Sequence, residues 1–460
     1  MVRTNALLQF ALVVALLALW TKLWRKPDDS PDVLMTHGEF DILVVGSGSA
    51  GLTTAWTAAK HGARVLVVEK TERVGGNSAK ASSGISAAVD FSDRSAFKRD
   101  LVASSGGLGN PALIDALVDN SEDAIEFLRR DIGVTLDEER VRMGGHSSAR
   151  TLTFRNGAVG VELVRKLKEA VDKEPNIVVR TNARVTALLK ERGRVVGCEV
   201  AEAGTDDSET TTHRARRAVV LATGGFGHNF RMVERYLQNR TALCTTNGPF
   251  ATGDGLELGE GVGANAVQLE HIQVHPTGFV DPKQPNAPTK ILAPEKLRGL
   301  GGVLVDQGGR RFVNELGTRK EVSNAINLLE GREARLVIDR DIAAKVGPAM
   351  NFYVSKGLFQ PFVAGQGGQG ELLKESVAGL DMGSLMVARV TPAVHYTMGG
   401  LEFDTFAAAL DERGERVSGL FIVGEVGGGL HGANRLGGCS LLECIVFGRI
   451  AGRSSVNVVD

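Results

Sequence analysis

The amino-acid sequence predicts an α/β fold built on a Rossmann-like unit, and three observations carry that expectation. An apolar run of strand length, a glycine-rich turn, a helical stretch and a second apolar run follow one another between Asp41 and Glu69. Further strand-length apolar runs appear far downstream at Ala218–Ala222 and Gly419–Val423, each leading into a glycine-bearing turn. The chain also holds 57 glycines in 460 residues, above the usual share of roughly 7%. They cluster beside the apolar runs and do not follow a collagen period. The length suggests about two to three domain-sized units of about 150 residues each, enough to bury a substantial core.

The N-terminus comes first in the chain. Ala6 to Trp20 is apolar apart from Gln9, with Arg3 before it and Lys22, Arg25 and Lys26 after it. This is the short end of a spanning helix and the long end of a signal core. No small-x-small cleavage site follows Trp20, and Trp20 and Trp24 suit the headgroup level. The expectation for residues 1–38 is a hydrophobic anchor or targeting helix plus a polar linker. It would make the protein membrane-associated, at the endoplasmic reticulum or the mitochondrion.

The Rossmann-like unit follows. Asp41–Val45 reads as a strand covered on both faces, and the stretch from Ser49 to His61 reads as a helix closed by Gly62. Arg64–Val68 is the next strand and ends at Glu69, followed by Lys70. In this frame Gly46 permits the tight turn, and Gly48, with Ser49 and Ala50, brings backbone N–H groups to a pyrophosphate. Gly51 lets helix and strand pack closely, and Glu69 can accept from ribose hydroxyls. Strand before, helix after and an acid 18 residues beyond Gly51 make a dinucleotide the expected ligand.

Residues 75–88 are small and polar, including Gly76, Asn77, Ser78, Ser83 and Gly84. A nicotinamide dehydrogenase would continue with a strand there, whereas small residues let an isoalloxazine ring lie against backbone. Thr223-Gly224-Gly225 follows the strand at 218–222, and Glu425 closes the late strand. Ser440 and Leu441 lie in a glycine-containing helix start that returns to the flavin. FAD is therefore the expected cofactor.

Composition excludes other classes. With 53 basic and 54 acidic residues there is no basic face for nucleic acid. A hydrophobic share of 43% excludes intrinsic disorder. Cys198, Cys244, Cys439 and Cys444 form neither a disulfide framework nor a C-x-x-C pair, and no metal site is expected.

Several separated motifs sharpen the reading: VVGSGSAGL, GGNSAKASSGISAA, ATGDG with Asp254, VHPTG, E-x-x-RG-x-GG, RFVNELGTR, VHYTMGG and GANRLGG-x-SLLE. From about Phe40 to Arg453 the chain resembles the soluble fumarate reductase branch of the fumarate reductase/succinate dehydrogenase flavoprotein family. The resemblance implies a discontinuous FAD-binding domain at 39–269 and 395–460, interrupted by an α+β capping domain at 270–394. It implies reduction of fumarate to succinate by hydride transfer from reduced flavin. Arg319 would be the proton donor, with Glu295 and Arg298 relaying protons to it. Arg435 and His395 would clamp one carboxylate, with His275 and Arg319 near the rest of the substrate. Paired carboxylates suit the planar, bidentate guanidinium, and charge developing beside a carboxylate suits preorganised donors. Arg310 and Arg311 are expected to be solvated.

In the family's membrane-bound branch a histidine after the glycine pair is covalently attached to FAD. The resemblance places Ala79 at that position, so the flavin is expected to be non-covalent. With no haem or iron–sulfur motif, electrons would come from a diffusible reduced flavin or a separate reductase. The chain departs from the family at Pro294, where some relatives carry threonine, and at Cys439, where asparagine is expected. It departs again between Phe362 and Val387, where one short helix at 371–380 replaces several. The alternatives are a reductase of another unsaturated acid, or a catalytically impaired flavoprotein with a shortened cap.

Overall fold

A computed structural model describes residues 40–154, 158–202, 209–237, 244–347, 349–362 and 370–458. The expected N-terminal helix and linker lie outside the described residues. Among the described residues no helix is long and apolar enough to cross a membrane.

Strand β1 (Phe40–Val45) is buried along its whole length, as its continuous apolar run requires. Helix α1 (Ser49–Lys60) returns over the sheet to β2 (Val65–Val68), which pairs in parallel with β1, Ile42 opposite Val65. Strand β3 (Ile177–Arg180) extends this side in parallel. On the other side β1 pairs with β4 (Thr210–Leu221), Ile42 opposite Ala218. A hairpin of Ala183–Glu191 and Arg194–Glu202 joins the sheet through antiparallel pairing with β4.

A second, six-stranded sheet takes in the short strand Cys244–Thr245 and then β5 (Ile272–Phe279). It is followed by α2 (Glu295–Gly299), α3 (Arg319–Asn327), β6 (Ala334–Ile338) and β7 (Met386–Thr397). Strand β7 pairs antiparallel with both β5 and β6. The chain then returns to the first sheet as β8 (Arg416–Ile422), parallel to β4, and ends in α4 (Cys439–Val456).

The buried apolar residues form one large cluster drawn from both ends of the described chain, Phe40 to Ile272 and Val394 to Ala451. A second cluster runs from Phe279 to Val390. Strands β5 and β7 belong to both: Ile272 and Val394 lie in the first, Phe279 and Val390 in the second. This two-stranded ribbon therefore ties the two cores together, and its end nearest the first core carries Gln273, His275, His395 and Tyr396. A register shift between Gln273 and Val274 breaks the regular alternation there.

Between Phe362 and Val387 the helix is Gly370–Ser376, shorter than the 371–380 expected. Its Leu373 packs with Val303, Val305 and Val377 in a small buried cluster. Two more short helices precede it, Arg340–Val346 and Ala349–Ser355.

Candidate active site

A cavity of about 640 Å³ opens at the carboxyl ends of β1, β2 and β4, where ligands bind in open α/β sheets. Of the expected cofactor residues, Gly46, Gly48, Ala50, Glu69, Lys70, Gly76, Asn77, Ser78, Ser83 and Gly84 line it. So do Thr223, Gly224, Asp254, Glu425, Ser440 and Leu441. Ser49, Gly51 and Gly225 do not line it; they shape its wall. Ser49 bonds the Ser78 hydroxyl through its amide at 3.1 Å and its hydroxyl at 2.8 Å. A Cβ at Gly51 would stand 2.0 Å from the Gly46 carbonyl oxygen, so only glycine lets α1 lie this close to β1.

Gly48 at the head of α1 carries no side chain to cap the first turn. The Ser49 N–H is taken by Ser78, and the positive end of the helix dipole faces the cavity where an anion would bind. Gly48 stands over this turn, and a Cβ there would meet nothing closer than 3.5 Å. Glu69 is fixed at the end of β2 by Ser47, whose N–H and hydroxyl donate at 3.0 and 2.6 Å, and by the Thr71 N–H at 2.9 Å. Lys70 pairs with Asp254 at 2.8 Å and donates to the Thr252 hydroxyl. Asn77 is held by Asn247 and the Gly248 amide.

At the other end of the cavity stand Arg319, His395 and Arg435. Glu295, Arg298 and His275 are not on the wall; they lie directly behind it, fully buried or nearly so. Arg319 is the first residue of α3, behind a capping box of Thr318 and Glu321, so the helix start fixes its backbone. Its Nε donates to Glu295 Oε2 at 2.7 Å and its Nη1 to Gln273 Oε1 at 2.8 Å. Glu295 and Arg298 sit on successive turns of α2 with Oε1 and Nη2 3.7 Å apart. The Gly144 amide donates to Glu295 Oε1 at 3.0 Å, and Arg298 donates to the Glu315 carbonyl. Arg311, expected to be solvated, is half exposed and ion-pairs with Glu315.

Burial alone would raise the Glu295 carboxyl, but Arg319 and Arg298 beside it hold it down at about 2. Burial, then Arg319, hold the His275 and His395 imidazoles well below their ordinary value, so both are neutral. The Thr277 amide donates to His275 Nδ1 at 3.2 Å. This places the proton on Nε2, a buried atom with no hydrogen-bond partner. His395 Nδ1 meets the Thr246 hydroxyl at 2.7 Å, and the two imidazoles are 5.0 Å apart between centroids. Arg435 lies with its guanidinium 4.4 Å from the Tyr396 ring centroid, and its Nε has no partner. Burial and the repulsion of Arg319 lower it to about 10. Arg319 and Arg298 thus share one close carboxylate, Glu295. Arg435 on the wall has no carboxylate hydrogen-bonded to it among the described residues, which leaves its Nε an unmatched donor for an anion.

Several participants escaped the sequence reading. Gln273 accepts from Arg319 and donates to the Arg435 carbonyl at 2.7 Å, bridging residues far apart in sequence. His146 donates to the Gly437 carbonyl at 3.0 Å and takes an Arg150 N–H at 2.8 Å. Arg150, fully buried, is anchored by Asp93 and Asp100. That network braces the loop presenting Arg435. Cys439, at the start of α4, is buried, and burial pushes its thiol up to about 12, so it stands there as a neutral side chain.

The FAD binding domain family model matches residues 41–441. The chain is 34% identical to the fumarate reductase of Schizosaccharomyces pombe, covering 92% of this chain and 90% of that one. To fumarate reductase 1 of Saccharomyces cerevisiae it is 35% identical, covering 90% and 98%. The chain belongs to the fumarate reductase/succinate dehydrogenase flavoprotein family. This flavoprotein is an FAD-dependent oxidoreductase of the kind that acts on CH–CH bonds. Among solved structures, the open conformation of a flavocytochrome c3 fumarate reductase is similar to it. That chain superposes with a TM-score of 0.74 at 28% identity, over 95% of this flavoprotein and 82% of that chain.

The residues of the flavoprotein fit FAD: an uncapped helix start for the pyrophosphate, an oriented acid for the ribose, and a glycine-walled trough. At Gly46 the backbone has φ +102°, and a Cβ would stand 2.5 Å from the Ala222 carbonyl oxygen. Gly46→Ala is therefore expected to displace the turn and purify with less than about a tenth of its FAD sites filled, since the strain and clash together exceed about 1–3 kcal/mol. The ratio of flavin to protein absorbance checks this.

Proposed function

We propose that the protein reduces fumarate to succinate. The observation that supports this best is the placement of Arg319 and Arg435 on one end of the FAD-type cavity, with Glu295 the one carboxylate hydrogen-bonded to either guanidinium among the described residues. A dianion supplies the missing charge, and the planar guanidinium binds a carboxylate through two N–H groups.

Arg435 and His395 hold one carboxylate and Arg319 holds the region of the other, while His275, buried behind the wall, backs His395 with its ring 5.0 Å away. Bound FAD, in its reduced form, supplies the hydride that the chain itself has no group to provide. Arg319 delivers a proton to the second alkene carbon. A free guanidinium is a very weak acid, with a pKa above about 12, so the transfer depends on replacement of the proton at once. Glu295, hydrogen-bonded to Arg319 Nε, passes it on, and Arg298 on the next turn of α2 recharges Glu295. His275 and His395, kept neutral, donate or accept hydrogen bonds without adding to the repulsion among the buried guanidinium groups.

The flavin is held non-covalently, since residues 75–88 contain no histidine to form a ring linkage. Electrons reach it from a diffusible reduced flavin or a separate reductase, and the apolar segment at Ala6–Trp20 tethers the protein to a membrane of the endoplasmic reticulum or mitochondrion. Residues 270–394 act as the cap over the substrate.

The test is direct. Holoenzyme reduced with dithionite under argon is mixed with fumarate, and the oxidised flavin absorbance is expected to return with stoichiometric succinate. Persistence of the reduced spectrum would refute the proposal. Acrylate, with one carboxylate, is expected to react with kcat/KM lower by about 10–150-fold, the equivalent of one charge-assisted contact of about 1.5–3 kcal/mol. Equal rates for acrylate and fumarate would show that the second clamp is not used.

A further inference from the structure

Arg435 and Glu443 carry opposite charge in the same dry region, yet they do not pair. Each keeps one buried atom without a partner, Nε on Arg435 and Oε1 on Glu443. In a medium of low dielectric, two such groups attract strongly and an unmatched donor or acceptor is costly. Tyr396 is the side chain that contacts both. Its ring face takes the guanidinium at 4.4 Å, and its hydroxyl donates to Glu443 Oε2 at 2.6 Å. His431 Nε2 approaches the same carboxylate oxygen at 2.9 Å, so Oε2 is satisfied twice while Oε1 is left over.

The ring itself is fixed. Tyr396 pairs with Gln273 across the β5–β7 ribbon, and the Gln273 amide donates to the Arg435 carbonyl at 2.7 Å. The His431 imidazole packs edge-on at 5.7 Å. A cation over an aromatic face is held more weakly than by a bidentate carboxylate. The ring therefore orients the guanidinium without occupying its N–H groups.

We propose that Tyr396 is a positioning residue that keeps Arg435 apart from Glu443, so that the guanidinium stays free for an anionic substrate. The inference rests on the reading that Arg435 binds a substrate carboxylate. Without the ring, the unmatched Arg435 Nε and Glu443 Oε1 find each other, and the clamp is lost to an internal ion pair.

The experiment titrates fumarate into oxidised holoenzyme, follows the perturbation of the flavin spectrum for Kd, and measures KM and kcat beside it. Tyr396→Leu is expected to bind FAD but to weaken fumarate about 10–150-fold, the loss of one charge-assisted contact. Tyr396→Met, closer in volume, is measured in parallel should the leucine variant lose its cofactor. Tyr396→Phe keeps the ring and is expected to stay within about threefold of the unaltered protein, less than the effect of one neutral hydrogen bond on a binding constant. Adding Glu443→Gln to Tyr396→Leu removes the competing anion and is expected to restore most of the affinity.

The inference is overturned if the phenylalanine variant binds as weakly as the leucine variant, for then the hydroxyl network and not the ring matters. It is overturned equally if the double variant is no better than Tyr396→Leu. Arg435→Met separates the underlying reading: if it binds fumarate as tightly as the unaltered protein, the carboxylate clamp itself is wrong.

Discussion

Arg319→Ala retains FAD at full stoichiometry and loses fumarate-dependent flavin reoxidation by about 10³-fold or more, beyond the middle of the range for a positioned acid. The excess arises because Arg319 has two tasks. It delivers the proton, and with Arg435 it supplies the positive field that stabilises charge developing beside the carboxylate. Lysine does not replace it. Arg319 donates to Glu295 from Nε and to Gln273 from Nη1, and a point-like ammonium cannot span both acceptors while also facing the cavity. Arg319→Lys is expected to recover less than about a tenth of the lost rate on that ground. Stopped-flow reoxidation of the photoreduced protein checks both, and wild-type rates in Arg319→Ala would discard the proton-donor role.

Glu295→Gln gives the second large effect, on rate and on stability together. The amide can still accept from Arg319 but cannot carry the proton, so turnover falls by about 10²-fold or more. Fumarate binding changes far less, because Glu295 lies behind the wall. The stability effect has a definite sign. The Glu295 carboxyl falls from 4.5 in an open chain to about 2 in the folded protein. A depressed acid contributes stability above its unfolded value, and the contribution disappears as pH falls through the folded one. At 1.36 kcal/mol per unit this is about 3 kcal/mol at neutral pH, fading between about pH 4.5 and 2. Glu295→Gln is therefore expected to unfold at lower temperature than the unaltered protein at pH 7, with the gap closing as the pH approaches 2. Melting followed by flavin fluorescence across that range measures it. A gap independent of pH would mean that the charge of Glu295 contributes nothing.

The first βαβ unit was legible because its chemistry is local. Turn, helix start and acid lie within 24 residues, Gly46 to Glu69, and each has one backbone reason to be what it is. Glu295 and Arg298 came from the resemblance carried by the E-x-x-RG-x-GG motif, and α2 places these positions, three apart, on one face. Their depth was not readable. Nothing in the sequence says that His275, Glu295 and Arg298 stand behind the wall while Arg319, His395 and Arg435 form it. Gln273, Tyr396, His146 and Arg150 were missed for a common reason. Gln273 and His146 join segments more than a hundred residues apart, Arg150 joins residues fifty or more positions away and Tyr396 fills space under a charge, and none of these tasks leaves a spacing pattern. Gln273 is the plainest case, two residues before a histidine that drew attention, yet binding to Arg435 at a separation of 162.

Helix α4 presses against α1 through small residues: a Cβ at Gly448 would touch Ala50 and Thr53, and one at Gly452 would touch Thr57. The nucleotide-binding half that is synthesised first is thus completed by a segment that leaves the ribosome some four hundred residues later. Until then the sheet face that α4 covers is open to water, and the coenzyme trough lacks Ser440 and Leu441. Loading with flavin becomes a late event in the life of the polypeptide, and a transcript truncated ahead of that helix yields a colourless product even though every glycine of the opening motif is present.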